Sequence, residues 1–335
     1  MNRAMRLRQP ASVASLYLGE GEALPPGPGE VRVRIRAASL NFRDGLVVGG
    51  FFPAMEGLIP LSDGAGEVTD VGAGVTEFAV GDAVVSTFHP KWLDGHMERA
   101  ELDNAPGGPA HGFACDMVTR PFTHFTHAPR GLSHLEAATL TCAGVTAWRA
   151  VVTDGAVKPG QTVLVQGTGG VSLFALQFAR MAGATVIATS SSADKLARLT
   201  ALGADHVINY RETENWGEAA LALTGGLGVD HVIEVGGPHT LPQSLAAART
   251  GGHIAIIGAV GGFEGGIPFA IVQAKRLRIQ GVTVGSRRDQ RDMVRGIEVH
   301  GIQPVIDRAF PLEQLADAIR AQQTGGVFGK IGIEM

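Results

Sequence analysis

A chain that contains the stretch Thr162–Lys195 has few folds open to it. Val163, Leu164 and Val165 form a short β-branched and aliphatic run, the pattern of a strand buried on both faces. Gly167-Thr168-Gly169-Gly170 predicts a sharp turn, after which Val171, Phe174, Ala175, Phe178 and Met181 recur at helical spacing. Gly183-Ala184 closes that helix, and Thr185–Thr189 predicts a second buried strand. Strand, glycine turn, helix and parallel strand make a βαβ unit. Its helix N-terminus offers free N–H groups and the positive end of a dipole, so Gly167, Gly169, Gly170 and Val171 are candidates for cradling a pyrophosphate. Ser172 stands where a GxGxxG pattern has its third glycine, and so small a residue still permits close helix–strand packing. A glycine-rich turn with no ligand is the plainer alternative, and it leaves the order of the four elements unexplained.

Units of this kind hold a ribose 2′-hydroxyl with an acidic residue about 20 residues beyond the first glycine. Ser190 occupies that place, followed by Ser191, Ser192 and Lys195. No carboxylate is there to repel a phosphate, while hydroxyls and an ammonium are there to receive one, so NADP(H) is expected rather than NAD(H). Asp194 beside Lys195 keeps open the reading of a serine-rich helix cap with an ordinary surface lysine.

At 335 residues the chain has room for one large or two ordinary domains. A formal net charge of −4 gives no basic footprint for nucleic acid. No apolar run approaches the ~18 residues of a membrane span. Cys115 and Cys142 are too few for a disulfide scaffold, and no apolar segment follows the basic first residues as a signal peptide requires. A cytoplasmic protein is therefore expected.

Upstream of the βαβ unit, Glu30–Arg36 alternates strictly between aliphatic and polar side chains, with further short strands at Gly64–Gly72 and Gly81–Val85. Residues 1–130 are expected to form an antiparallel β domain, with a histidine-bearing loop over 89–116. From Ser133 the spacing predicts a pair of helices ending at Lys158-Pro159-Gly160. Beyond the unit, strands are predicted at 204–210, 229–237, 253–258 and 278–285, with helices at Ala193–Leu202 and Leu241–Arg249. Residues 131–285 thus read as a doubly wound parallel sheet in an α/β fold. Residues 286–335 predict helices at Asp289–His300 and Leu312–Gln322 and strands near Ala309-Phe310 and at Lys330–Ile333, returning to pack on the first domain.

Motifs along nearly the whole chain resemble those of the medium-chain dehydrogenase/reductase superfamily, nearest its zinc-independent quinone oxidoreductase-like members. They are Leu40–Asp44, Pro60–Glu67, Val80–Asp82, Ala137–Leu140, Gly144–Ala147, Leu202–Asp205 and Gly329–Ile331. The resemblance implies a GroES-like β domain followed by a Rossmann domain, with a nicotinamide cofactor in the cleft between them and hydride transfer as the chemistry. It implies that Asn41 lies near the nicotinamide ribose, that Thr146 and Lys330 help hold the cofactor, and that Ser190, Ser191, Lys195 and Tyr210 meet the 2′-phosphate. Tyr210 is equally suited to a core strand end. Gly258 and Gly285 end predicted strands where the cofactor must pass close to backbone. The resemblance also implies a homodimer, because relatives pair the edge strand matching Ile279–Val284 across a two-fold axis.

Departures from the family sharpen the expectation. Zinc-dependent members place cysteine, histidine and glutamate where Asn41, Ser62 and Asp63 stand, and of the catalytic ligands only Cys142 remains. No metal is therefore expected, since zinc catalysis needs three protein ligands and an open position. Loop residues His89, His96, His111 and Cys115 are the materials for an improvised site. Many zinc-independent members carry a substrate-facing tyrosine where this chain has Phe51 and Phe52. Asp44, Asp63, His89 and Lys91 are then candidates for proton delivery by neighbourhood, and Asp44 and Asp63 suit structural carboxylates equally well. Asn41, Asp44 and Asp63 are the catalytic candidates, and Phe51, Phe52 and Trp92 the candidate lining of a pocket. The leading expectation is an NADPH-dependent reductase of a quinone, enone or aldehyde. The alternatives are an NADP-dependent alcohol dehydrogenase and a non-catalytic NADPH-binding protein.

Overall fold

The computed structural model of the chain describes residues 2–21, 24–99, 104–258 and 260–335. The chain divides into two compact units, Met1–Val145 with Val284–Met335, and Thr146–Thr283.

In the first unit an antiparallel pair, β1 (Arg3–Leu7) and β2 (Leu16–Glu20), precedes β3 (Glu30–Ser39), β4 (Asp63–Val71), β5 (Ala83–Ser86), β6 (Met117–Pro121) and β7 (Phe125–His127). The alternation in β3 is as expected: Val31, Val33 and Ile35 are buried while Arg34 and Arg36 are exposed. Strand β3 pairs antiparallel with both β4 and β6. Ser133 opens the helix His134–Ala138 with a capping box, its hydroxyl accepting from Glu136 N while the Glu136 carboxylate accepts from Ser133 N. One helical run then continues where a pair of helices was expected. It passes through π-helical stretches at Leu140–Gly144 and Arg149–Thr153 on either side of Val145–Trp148. Nothing in that run is a proline, and Gly144 alone does not break it. Ala137 and Ala138 pack on Ala37, Ala65 and Val85, and the first compact unit runs on to Val145.

The second unit holds β8 (Thr162–Gln166), β9 (Thr185–Ser190), β10 (His206–Asn209), β11 (Val229–Glu234), β12 (Ala248–Ile256) and β13 (Arg278–Gly281). Their order in the sheet is β10-β9-β8-β11-β12-β13, and every neighbouring pair is parallel. The order reverses between β8 and β11, the switch point at which open α/β sheets take ligands. Edge strand β13 stops at Gly281, short of the expected Gly285. Val282 and Val284 turn inward as buried residues instead, Val284 with a φ of 57° that a strand cannot continue. Helices at Trp216–Leu223 and Phe269–Ala274 were not expected. The first is alanine-rich without a clear polar face, and the second is too short to display a period.

Strands β14 (Ile306–Pro311) and β15 (Lys330–Glu334) belong to the first unit, extending its sheet to the order β14-β15-β3-β4-β5-β7. Leu312, Leu315, Ile319, Ile331 and Ile333 complete its core with Val33, Phe113 and Phe125. Among the described residues, no helix is long and apolar enough to cross a membrane.

Candidate active site

The glycine turn of the second unit is built to receive a ligand. Gly167 has a φ of 69°, and its N–H donates to Thr189 O at 2.9 Å, which ties the turn to β9. At both Gly167 and Gly169 a Cβ would find no heavy atom within 4 Å, so the space beside the turn is open. Gly169 is the N-cap of the helix Gly170–Met181 and, as a glycine, has no side chain with which to cap its first N–H groups. Ser172, in the place of the third glycine, is buried and donates its hydroxyl to Gln166 O at 2.6 Å. Open glycines and a helix N-terminus capped by a glycine fit a dinucleotide pyrophosphate.

At the ends of β9 and β10, Asn209 is paired with Ser190, and Tyr210 N donates to Ser190 O at 3.1 Å. Ser190 is buried, whereas Ser191 and Lys195 are half-buried and Tyr210 is 42% exposed. Ser192 is the N-cap of the helix Ala193–Ala201, its hydroxyl accepting from Lys195 N. The cap reading therefore holds for Ser192, and Ser191, Lys195 and Tyr210 retain the exposure that a phosphate contact requires. Thr146 is buried at the start of the second unit. Gly258 and Gly285 answer to the protein itself. A Cβ would stand 2.4 Å from Val235 O at Gly258, and 2.7 Å from Val145 Cγ1 at Gly285.

Sequence reasoning missed a buried network at the switch point. Glu234 Oε1 accepts from Gly236 N at 2.8 Å, Gly237 N at 2.9 Å and Thr240 Oγ1 at 2.5 Å. Its Oε2 accepts from Ser244 Oγ and from Gln166 Nε2, the latter at 2.8 Å. The end of β8, just before the glycine turn, is thereby tied to the turn after β11. A groove of about 350 Å³ beside it is lined by Gly237, Leu241, Ile256, Gly258, Phe263 and Ile267, among others. The available signal was a glutamate ending an otherwise apolar strand, Val232-Ile233-Glu234.

The first unit brings Asn41, Asp44 and Asp63 into one buried cluster. Asn41 is the N-cap of the helix Phe42–Val48, and its N–H donates to Asp44 Oδ2 at 2.8 Å. Asn41 Nδ2 donates to Ser62 Oγ at 3.2 Å, and Ser62 Oγ donates to Asp63 Oδ1 at 2.8 Å. Ser39 Oγ donates to Asp63 Oδ2 at 2.8 Å. From β15, Lys330 Nζ donates to Leu40 O and to Asn41 Oδ1, the latter at 2.6 Å, and lies 3.7 Å from Asp63 Oδ2. Burial pushes the Asp44 carboxyl up to about 6, against the pull of Arg43 and with repulsion from Asp63. Asp44 and Asp63 are thus each bonded to named neighbours within the cluster.

Zinc does not fit this donor set. Asn41 Oδ1 already accepts from an ammonium, both Asp63 oxygens are engaged, and Lys330 supplies a positive charge at the same place. Cys142 retains some exposure as a residue, and desolvation, aided by Asp63, pushes its thiol well above the ordinary range. The loop histidines do not assemble a site. Ile59 N donates to His111 Nδ1 at 3.1 Å, and Cys115 is buried with its thiol pushed up to about 12 by desolvation. Among the described residues, no group of three or more His, Cys, Asp or Glu could hold a metal ion.

Phe51 and Phe52 pack edge to face at 5.2 Å in an exposed turn after the Phe42–Val48 helix. Trp92 is buried, its Nε1 donating to Gly95 O at 3.0 Å and its carbonyl accepting from Arg287 N at 2.9 Å. It serves the packing of the first unit. Arg43, which follows Asn41 and Phe42 in the same motif, lies 5.0 Å over the Phe88 ring.

Residues 27–130 match the alcohol dehydrogenase GroES-like domain family, and residues 170–298 match the zinc-binding dehydrogenase family. A zinc-type alcohol dehydrogenase-like protein of Schizosaccharomyces pombe is 44% identical over 317 residues, spanning 92% of this chain and 91% of its own length. The crystal structure of an NAD-dependent alcohol dehydrogenase superposes with a TM-score of 0.91 at 37% identity, covering 99% of each chain. That of a quinone oxidoreductase from Pseudomonas syringae superposes with a TM-score of 0.84 at 26% identity, covering 100% of each. With both domain families matched in order and such likeness along its length, the chain belongs to the medium-chain dehydrogenase/reductase superfamily of oxidoreductases.

Proposed function

We propose that the chain is an NADPH-dependent reductase of an activated C=C or C=O bond, such as that of a quinone, enone or aldehyde, working without catalytic zinc. The observation that carries this reading is Lys330 Nζ at 2.6 Å from Asn41 Oδ1 and 3.7 Å from Asp63 Oδ2. An ammonium serves where zinc-dependent members place their metal, and an ammonium so engaged polarises an alcohol far less than a Lewis acid does. Acceptors that spread incoming negative charge over their own conjugated system need the least help. The nicotinamide, when bound, supplies the hydride. Support for the phosphorylated cofactor comes from Ser191, Lys195 and Tyr210 at the ends of β9 and β10, with Ser190 in the place of a repelling carboxylate.

The names of the S. pombe relative and of the NAD-dependent alcohol dehydrogenase favour a second reading, NAD-linked oxidation of an alcohol at a metal. The donor set of the Asn41 cluster weighs against it. Elemental analysis separates the two: the reductase reading expects no stoichiometric zinc and activity that survives chelation. One zinc per chain, lost together with activity, contradicts it.

The protein is further proposed to act as a homodimer through β13 and the apolar segment before it. Phe269 is 84% exposed there, and Phe263 and Ile267 are exposed beside it. An unpaired edge strand flanked by exposed aromatics is a surface that proteins seldom leave to solvent.

A further inference from the structure

The Arg43 side chain is the charged group of the Asn41 cluster that reaches solvent. Asn41, Asp44, Ser62, Asp63 and Lys330 are 0–7% exposed and engaged with one another, whereas the Arg43 side chain keeps 21% of its surface. Its guanidinium has a built seat. Nη1 donates to Pro106 O at 2.9 Å and lies 3.4 Å from Asp44 Oδ1, and the planar group rests over Phe88. Gly108 leaves the room it needs, because a Cβ there would stand 2.5 Å from Arg43 Nη2. These contacts employ Nη1 and one face of the plane. The edge carrying Nε and Nη2 has no acceptor among the described residues.

We propose that this free edge of Arg43 hydrogen-bonds the acceptor's carbonyl oxygen and holds the negative charge that collects there. The inference rests on the reductase reading. In that reaction the hydride of NADPH forms a new C–H bond at the β-carbon of an enone. The C=C electron pair moves to make a new C=C beside the carbonyl carbon, and the C=O π pair moves onto oxygen as an enolate. NADPH is oxidised to NADP+, and a proton from solvent completes the reduced product. For a quinone the oxygen becomes a phenolate in the same way. A guanidinium stays charged throughout the working pH range, so Arg43 acts as a fixed electrostatic stabiliser and not as the proton donor. Its planar fork suits an anionic oxygen. Asp44, with its carboxyl pushed up to about 6 by burial, is a positioning residue behind it.

Arg43→Gln and Arg43→Ala in the full-length protein test this, with circular dichroism and NADPH affinity as controls for folding. With the best acceptor, Arg43→Gln should lower kcat on the order of 100-fold. Millimolar guanidinium should restore part of the rate to Arg43→Ala. With NADP+ bound, 4-nitrophenolate should bind wild-type protein at least about tenfold more tightly than Arg43→Gln, while the neutral 4-nitroanisole discriminates little. Gly108→Ala, which keeps the charge but displaces the guanidinium, should give an intermediate loss and covers the case in which Arg43→Gln does not fold. An unchanged kcat and unchanged 4-nitrophenolate affinity in folded Arg43→Gln overturn the proposal, as does an equal loss for 4-nitroanisole. Wild-type protein that binds 4-nitrophenolate through Arg43 yet reduces no acceptor supports the anion site and contradicts the reductase reading. Reduction indifferent to Arg43 does the reverse.

Discussion

Lys330 Nζ and Asn41 Oδ1 meet at 2.6 Å, joining the first residue of the closing strand to the cap of the Phe42–Val48 helix. The same ammonium faces Asp63 at 3.7 Å in a buried setting. Removing one partner of a buried ion pair strands the other charge. Lys330→Met should therefore destabilise the protein by about 3–5 kcal/mol in urea unfolding, and adding Asp63→Asn should recover part of the loss. A single-variant loss below about 1 kcal/mol, the range of exposed pairs, would show that the contact is not a buried pair in solution.

Cofactor choice is tested at Lys195. Lys195→Ala should weaken NADPH binding by roughly 10- to 100-fold and leave NADH nearly unchanged, since each charge-assisted hydrogen bond contributes about 1.5–3 kcal/mol. Isothermal titration with both cofactors measures this. Equal losses for the two, or a wild-type preference for NADH, would contradict the assignment.

Acid stability should report the second unit's buried histidines. His231 and His253 sit on β11 and β12 with their Nδ1 atoms 3.4 Å apart, and His231 Nε2 lies 3.1 Å from Gln161 Oε1. With the Gln161 oxygen also accepting from Lys158 N, His231 donates through Nε2 and accepts at Nδ1 from His253, leaving His253 Nε2 a buried acceptor without a partner. Desolvation pushes both rings down to about 4, with Asp230 opposing at His231 and Arg278 reinforcing at both. The unfolded chain then takes up protons first, and the contribution is lost as pH falls from 6.5 towards 4. Asp44 works the other way, gaining stability as pH falls through about 6. His253→Asn keeps a donor towards His231 and should flatten the fall of the urea midpoint over that window by about one proton. An unaltered slope would mean that the ring does not stay neutral in the fold.

Assembly is decided by sedimentation. A homodimer is expected at micromolar concentration, and Phe269→Glu should shift it towards monomer without loss of helix content. A wild-type monomer mass, or a dimer indifferent to charge at Phe269, would contradict pairing through β13 and its flanking segment.

The elements legible in the sequence were those whose evidence is local. Val163–Val165, the Gly167–Gly170 turn and the spacing from Val171 to Met181 lie within one short stretch, and the structure has the strand, turn and helix there. The buried polar clusters were not legible, because their members meet only after folding. Lys330 and Asn41 are 289 positions apart, and Gln166 and Glu234 are 68 apart. Asp44 and Asp63 invited a catalytic reading by residue type, and their burial and hydrogen bonding to Asn41, Ser62 and Ser39 were not legible. Arg43 was passed over because its seat comes from Phe88, Pro106 and Gly108, none of which is suggestive by itself. Val282 and Val284 have strand-like composition, but β13 ends at Gly281, and the left-handed φ at Val284 keeps the segment beyond it from resuming as a strand.

The most direct measurement is steady-state oxidation of NADPH by purified, chelator-treated protein across quinones, conjugated enones, simple ketones and aldehydes, with NADP+ and NAD+ reduction by simple alcohols run alongside. Fastest turnover is expected with quinones or enones, slower turnover with simple ketones and negligible oxidation of alcohols. Alcohols outrunning quinones and enones, with turnover abolished by chelation, would contradict the reductase reading.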